Sequence, residues 1–391
     1  MAASPTLGQV LRSVIPSPMA SALRLSPHQW KTLRALAACR TSALGGQLLR
    51  CTGCQREHFV AHSCRNRHCP QCQGARAVDW LQQQEAALLP IPYFHVVFTL
   101  PHTLNGLIRQ NRRALFKLLF DAASQTLLEF GARGLKAQLG ITAVLHTWSQ
   151  TLLDHYHLHC IVTGGGLALE AERWVPSPAH YLFPVQALSR MFRGKFLAGL
   201  KELYEADELE FHGQCQGLAG RGRFASLLLE ASRPQWVVYA KRPFAGPKQV
   251  LAYLSLYTHR VAISNRRLVS AQAQSVTFAY KDYADGAKQK TMTLGLDEFV
   301  RRFCLHVLPE RFVKIRHYGL LGNRQRQQRL AQARQLLGTS APSPEQTRPA
   351  KEVCAQMPRA CCPFCGQPTL VLLREVAPER AARPPAKLDS S

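Results

Sequence analysis

The sequence predicts an α+β protein, an antiparallel sheet with helices on one face, preceded by a small cysteine-rich domain. Three observations predict it. Strand-like and helix-like segments alternate from about residue 90 to residue 275. One of those strands, 155–163, has two chemically different faces. Cysteine and histidine crowd into the first 86 residues. Four regions follow: 1–86, cysteine-rich; 87–275, the sheet domain; 276–340, a basic helical extension; and 341–391, a linker, a small cysteine knuckle and a tail.

In the first region Cys51-x-x-Cys54 and Cys69-x-x-Cys72 form two knuckles with fourteen residues between them. Each knuckle sets two thiolates on one side of a tight turn, and two knuckles complete a closed tetrahedral site of the structural zinc type. Cys51, Cys54, Cys69 and Cys72 are therefore expected to bind one Zn2+, with Cys39, Cys64 and His68 as further candidates. The chain holds thirteen cysteines. An odd number at short spacings, with no secretory signal ahead of them, reads as metal ligands in a reducing compartment. Arg50, Arg56, Arg65, Arg67 and Arg76 surround this block.

The second region opens with a β-branched and aromatic run, 91–100, ending at Pro101, which predicts a strand. Residues 105–130 carry leucines at helical spacing up to Gly131. Residues 140–147 and 155–163 predict two more strands, the second closed by Gly164-Gly165-Gly166. A helix over 187–204 and a strand over 235–241 follow, and Gly246-Pro247 opens another helix. Side chains alternate along a strand, so His155, His157 and His159 share one face while Tyr156, Leu158, Cys160 and Val162 share the other. The second set is apolar enough to pack under helices. The first offers neutral imidazoles that can grip a metal ion. His155 lies about 13 Å along an extended chain from His159, so His157 and His159 rank first, and the third ligand is open between His155, His95 and Gln249. Tyr253 and Tyr257 stand four apart, on one face of the helix that Pro247 begins.

Lys plus Arg total 49 against 24 for Asp plus Glu, a formal charge of +25 in 391 residues. Such an excess favours a polyanionic partner, because each cation that meets a phosphate releases a condensed counterion. Residues 311–334 hold seven Lys or Arg and no acid. No run of 18 apolar residues occurs, so no membrane span is expected. Residues 340–351 are a linker by composition. Beyond them Cys362-x-x-Cys365, with Cys354 and Cys361 nearby, is a knuckle without an evident partner pair.

The segments C-x-x-C…SCRNRHCPQCQ (51–73), YFHVVFTLPH (93–102), HLHCIVTGGGL (157–167), AYLSLYTHRVAISNRRL (252–268) and RRFCLHVLPERFVKIRHYG (301–319) resemble, in the same order, the transposases of insertion-sequence family ninety-one. These belong to the HUH nucleases, named for a histidine–hydrophobic–histidine pair. The resemblance spans nearly the whole chain. It implies an HUH domain on a split β-α-β, ferredoxin- or RRM-like sheet. It also implies rolling-circle transposition through a covalent 5′-phosphotyrosine, with Mg2+ or Mn2+ at the active site. His157 and His159 match the family pair, and Tyr253 and Tyr257 match its two tyrosines. Arg65, Arg67, Lys248, Arg260 and Arg316 are then the expected DNA contacts. The implied partner is single-stranded DNA in the bacterial cytoplasm, at the nucleoid, with no membrane and no nucleotide cofactor. Gln47 and Leu256 depart from the family, where histidine and arginine are commoner. Two other functions share these features: a replication initiator or relaxase with the same nicking chemistry, and a non-catalytic zinc-dependent DNA-binding protein.

Overall fold

A computed structural model describes residues 4–17, 19–74, 87–170, 172–179, 182–241, 261–339 and 361–379. Helix α1 (Leu7–Val14) starts at a capping box of Thr6 and Gln9, and α2 (Pro27–Ala37) at one of Ser26 and Gln29 with proline at its first turn. Both boxes satisfy backbone N–H groups that a helix start leaves orphaned. Leu7, Val10, Leu11 and Val14 of α1 are buried, as are Leu33 and Leu36 of α2, and Arg12 donates to the Ala37 carbonyl at 2.7 Å. Strands β1 (Gly46–Cys51) and β2 (Glu57–Ala61) form a hairpin.

Strand β3 (Tyr93–Thr99) opens the larger sheet. The predicted single helix over 105–130 is two, α3 (Asn105–Gln110) and α4 (Arg112–Phe130). Asn111 breaks it: the side chain donates to the Glu210 carbonyl at 2.8 Å and accepts from the Glu210 N–H at 2.7 Å, so a long-range tie outcompetes helix continuation. Strand β4 (Ala137–Trp148) and strand β5 (Asp154–Ala168) pair along their lengths. Strand β5 does not stop at the glycine triplet. A Cβ on Gly164 would sit 2.7 Å from the Pro92 carbonyl oxygen, and one on Gly166 2.3 Å from that of Gln138. The glycines mark close backbone approach within a continuing strand, which spacing alone does not distinguish from a turn. Strand β6 (Trp174–Pro176), helices α5 (Val185–Glu205) and α6 (Arg221–Ser232) and strand β7 (Val238–Lys241) follow.

The extension predicted as helical from 276 to 340 is mixed. Strands β8 (Leu268–Ala271), β9 (Ser275–Asp282) and β10 (Lys288–Gly295) form an antiparallel sheet, and α7 (Leu296–Cys304) follows. Strand β11 (Ile315–Gly319) joins the large sheet, then α8 (Arg326–Leu336) begins. Its basic side chains hid the strand, because an edge strand needs little apolar alternation. Last, β12 (Leu370–Val376) pairs antiparallel with β1.

The chain divides into two compact units. One comprises 1–76, 263–301 and 348–391; the other comprises 77–262 and 302–347. The cysteine-rich region and the C-terminal knuckle, read as separate in sequence, thus belong to one unit. In the other unit the antiparallel sheet runs β11-β4-β5-β3-β7, with β6 beside β5, so the histidine strand is central as the sequence predicts. Tyr156, Leu158, Cys160 and Val162 enter one core with Phe94, Val96 and Phe98 of β3, Leu119 and Phe120 of α4, and Phe192 and Phe196 of α5. Each such side chain contributes about 1.5–3 kcal/mol on burial. The protein is mixed α+β with helices behind an antiparallel sheet. Among the described residues no helix is long and apolar enough to cross a membrane.

Candidate functional site

Directly opposed residues of paired strands share a face. His146 of β4 opposes His157 of β5, and Val97 of β3 opposes His159. His146, His157 and His159 each offer a ring nitrogen within 4.8 Å of the others. His146 and His157 are buried and His159 is half-buried. The ring of Trp148 stacks on His146 at 4.6 Å.

The group does not include His155, one of the three residues between which the third position was open. Its ring lies 4.6 Å from that of His157 and 5.8 Å from that of His102. The reason is geometric: His155 lies four residues from His159, about 13 Å along an extended chain, whereas neighbouring strands are only about 4.8 Å apart. The imidazole that completes the set therefore comes from across the ladder. The predicted strand over 140–147 contained His146, but register is invisible in a single strand's pattern.

The surroundings fix the tautomer of His157. A carbonyl can only accept, so His157 donates from Nδ1 to the His155 oxygen at 2.8 Å and its Nε2 carries the lone pair. His95 Nε2 and His159 Nδ1 lie 2.9 Å apart, with rings stacked at 5.1 Å. With the proton on His159 Nδ1, Nε2 of His159 is bare. His95, another candidate ligand, thus stands behind the cluster as an orienting partner, as second-layer groups at metal sites do. Burial pushes His95 down to about 4, helped by the Lys241 cation opposite it in β7, so it stays neutral at physiological pH. Asp154, at the start of β5, pairs with Arg109 and accepts from the Tyr156 hydroxyl at 2.8 Å, which ties the strand to the helix layer. Three imidazoles that each offer a ring nitrogen suit a first-row divalent ion and leave positions for water or substrate.

The histidine face also carries two residues that sequence reading passed over. Tyr239 opposes Val97 and Lys241 opposes His95, so both share this face. Tyr239 is 51 % exposed. Arg316 points the other way: its guanidinium lies 4.3 Å from the Phe120 ring centroid, on the helix side. Its neighbour in the ladder, Ala143, belongs to the core, which puts Arg316 off the histidine face. Arg65 is exposed and Arg67 half-buried, both in the loop between Cys64 and Cys69. Tyr253, Tyr257, Gln249, Lys248 and Arg260 lie outside the described residues, as do Cys354 and Arg76.

The expected site of Cys51, Cys54, Cys69 and Cys72 does not form, because its two knuckles go to different clusters. Cys39, Cys64, Cys69 and Cys72 make one group, and Cys51, Cys54, Cys362 and Cys365 another. In the first, sulfurs are 3.6 Å apart for Cys39–Cys72 and Cys39–Cys69 and 3.7 Å for Cys64–Cys72. Four thiolates about 2.3 Å from a tetrahedral zinc stand about 3.8 Å apart, whereas disulfide sulfurs are about 2.05 Å apart. Sulfur–sulfur contacts hold Cys69 down to about 5, chiefly through Cys64, while burial pushes Cys39 up to about 11. Cys39 and Cys64, secondary candidates in the sequence, are thus full members. Gln47, at the family departure, donates to Glu375 at 2.8 Å.

Residues 140–329 match a family model described as "Putative transposase", and residues 11–100 one described as "Transposase zinc-binding domain". The chain is 47 % identical over 330 residues to "Putative transposase y4qJ" of Sinorhizobium fredii (strain NBRC 101917 / NGR234), covering 84 % of this chain and 83 % of that protein. It is 29 % identical over 331 residues to "Transposase for insertion sequence element IS801" of Pseudomonas savastanoi pv. phaseolicola, covering 80 % and 75 %. No solved structure matches it.

Proposed function

This chain belongs to the transposases that carry an IS91-type zinc-binding domain, and on that premise we propose that it nicks and transfers single-stranded DNA by rolling-circle chemistry. The observation that carries the reading is the convergence of His146, His157 and His159 on one face of the sheet. In this reading those imidazoles hold a divalent ion. An all-nitrogen donor set suits manganese better than magnesium, which prefers oxygen ligands. A bound ion polarises the scissile phosphate and stabilises the charge that develops on it.

The chain's own groups do the rest. The phenol oxygen of Tyr253 or Tyr257 attacks phosphorus, the bond to the 3′-oxygen breaks, and that oxygen leaves as a hydroxyl carrying a proton. The product is a 5′-phosphotyrosine ester, and attack by another 3′-hydroxyl reverses the step without ATP. The tyrosines' part rests on their spacing and on the family resemblance. His95 and the His155 carbonyl keep the ligand rings in one orientation. Lys241 and Tyr239 supply a cation and a stacking face for the strand, as single-strand binding surfaces do.

The test is a covalent adduct. The full chain is incubated with single-stranded DNA from the ends of its element, with manganese or with EDTA, and resolved on a denaturing gel. An adduct is expected only with the ion, and only when Tyr253 or Tyr257 is present. An adduct formed by the Tyr253→Phe, Tyr257→Phe double variant would overturn the tyrosine assignment. One formed equally by His157→Ala in EDTA would overturn the metal reading.

A further inference from the structure

The second cysteine cluster draws its ligands from both ends of the chain. Cys51 ends β1 and Cys54 follows it; Cys362 and Cys365 precede β12. The sulfurs of Cys51 and Cys365 are 3.6 Å apart, and so are those of Cys54 and Cys362. Both values fall near the roughly 3.8 Å expected around tetrahedral zinc. Neither family model reaches residue 362.

The two knuckles are built alike. In the first, the Gln55 N–H donates to the Cys51 carbonyl at 2.8 Å, and the Cys51 N–H donates to the Arg56 carbonyl at 2.9 Å. In the second, the Gly366 N–H donates to the Cys362 carbonyl at 2.8 Å, and the Cys362 N–H donates to the Gln367 carbonyl at 2.8 Å. The residue after the second cysteine is left-handed in both, Gln55 at φ 60 and Gly366 at φ 73. A backbone N–H points at the first sulfur in each, from Cys54 at 3.4 Å and from Phe364 at 3.5 Å. Backbone donors aimed at sulfur stabilise thiolates over thiols. Two matching knuckles facing one another, with four thiolates, make a closed structural site.

Among the described residues, backbone pairing and polar contacts otherwise hold the C-terminal segment. Strand β12 pairs with β1, but Val371, Leu372 and Leu373 are 45 %, 53 % and 39 % exposed, so it buries little apolar surface. We propose that the chain binds two structural zinc ions, and that the second, held by Cys51, Cys54, Cys362 and Cys365, clasps the C-terminal segment onto the N-terminal hairpin. The ligands of the first ion lie within residues 39–72, so that site forms locally. The second requires loop closure over more than three hundred residues and forms only once the C-terminus has been made.

Metal analysis of the full chain, purified under reducing conditions, tests this. Two zinc ions per chain are expected. The Cys362→Ser, Cys365→Ser double variant should retain one, and its β12 amides should exchange with solvent as fast as those of an unfolded peptide. Cys361→Ser, which alters an exposed neighbour outside the cluster, should retain two. Should the double variant fold poorly, cobalt titration of the unaltered chain gives the same answer: thiolate-to-cobalt absorption should rise until two equivalents are bound. Saturation at one equivalent, or a double variant that still carries two zinc ions, would overturn the proposal. So would quantification of free thiols showing Cys51 or Cys362 in a disulfide.

Discussion

The cysteine clusters and the histidine cluster are both candidate metal centres, yet they are built on opposite plans. Each cysteine group offers four ligands from tight turns, with buried members and no vacant position. The histidine group offers three ligands from two adjacent strands of a large sheet whose other face is a full hydrophobic core. Where ligands come from turns, the metal supplies the order. Where they come from a packed sheet, the order exists beforehand and the metal is left available for chemistry. Ligand number and the source of rigidity, as well as ligand type, thus separate the two kinds of candidate centre.

The contrast breaks down if metal removal acts on both units alike. Stripping zinc should unfold the cysteine-rich unit, since structural zinc supplies on the order of 10 kcal/mol at neutral pH, while the β4–β5 ladder stays folded. Hydrogen exchange with and without a strong chelator reads this directly: β1–β2 amides should lose protection and β4–β5 amides should keep it. Equal loss in both would show that the sheet unit also depends on metal for its fold.

The next effect lies on the two faces of β5. Leu158→Ala should cost about 2–5 kcal/mol in chemical denaturation, because it opens a cavity in the core. His157→Ala, one position away on the other face, should cost far less stability and abolish adduct formation. A large stability loss from His157→Ala would make the histidines structural.

Within the histidine face, His146→Ala should weaken manganese binding more than His155→Ala. Loss of a mere supporting partner typically costs about 10–100-fold in metal affinity, and loss of a ligand should cost at least that. Titration followed by the manganese spin-resonance signal measures both. A larger effect at His155 would return the third position to the same strand.

The smallest effect belongs to Tyr239. Tyr239→Ala should weaken binding to single-stranded oligonucleotide by about 1–3 kcal/mol, with zinc content and thermal stability unchanged. No change in binding would take Tyr239 off the path of the DNA strand.

Much of this molecule is written in local periodicity. Alternation over 155–163 marks both the core face and the histidine face, and the structure keeps them apart as the pattern requires. The Cys-x-x-Cys spacings identify every knuckle that enters a cluster, because two thiolates on one turn are a property of four residues. What periodicity does not carry is the partner. Cys51 and Cys54 could meet the knuckle fourteen residues on or the one more than three hundred residues on, and only the β1–β12 ladder selects the distant one. His146 enters the cluster through the register of β4 on β5, which is decided by the packing of Leu145 and Leu158 against the helices. Residue types and their spacing set which groups are able to bind metal and on which face they sit. Which of them share a site was decided by tertiary structure, since strand register and the docking of distant segments depend on contacts that no short stretch of chain contains.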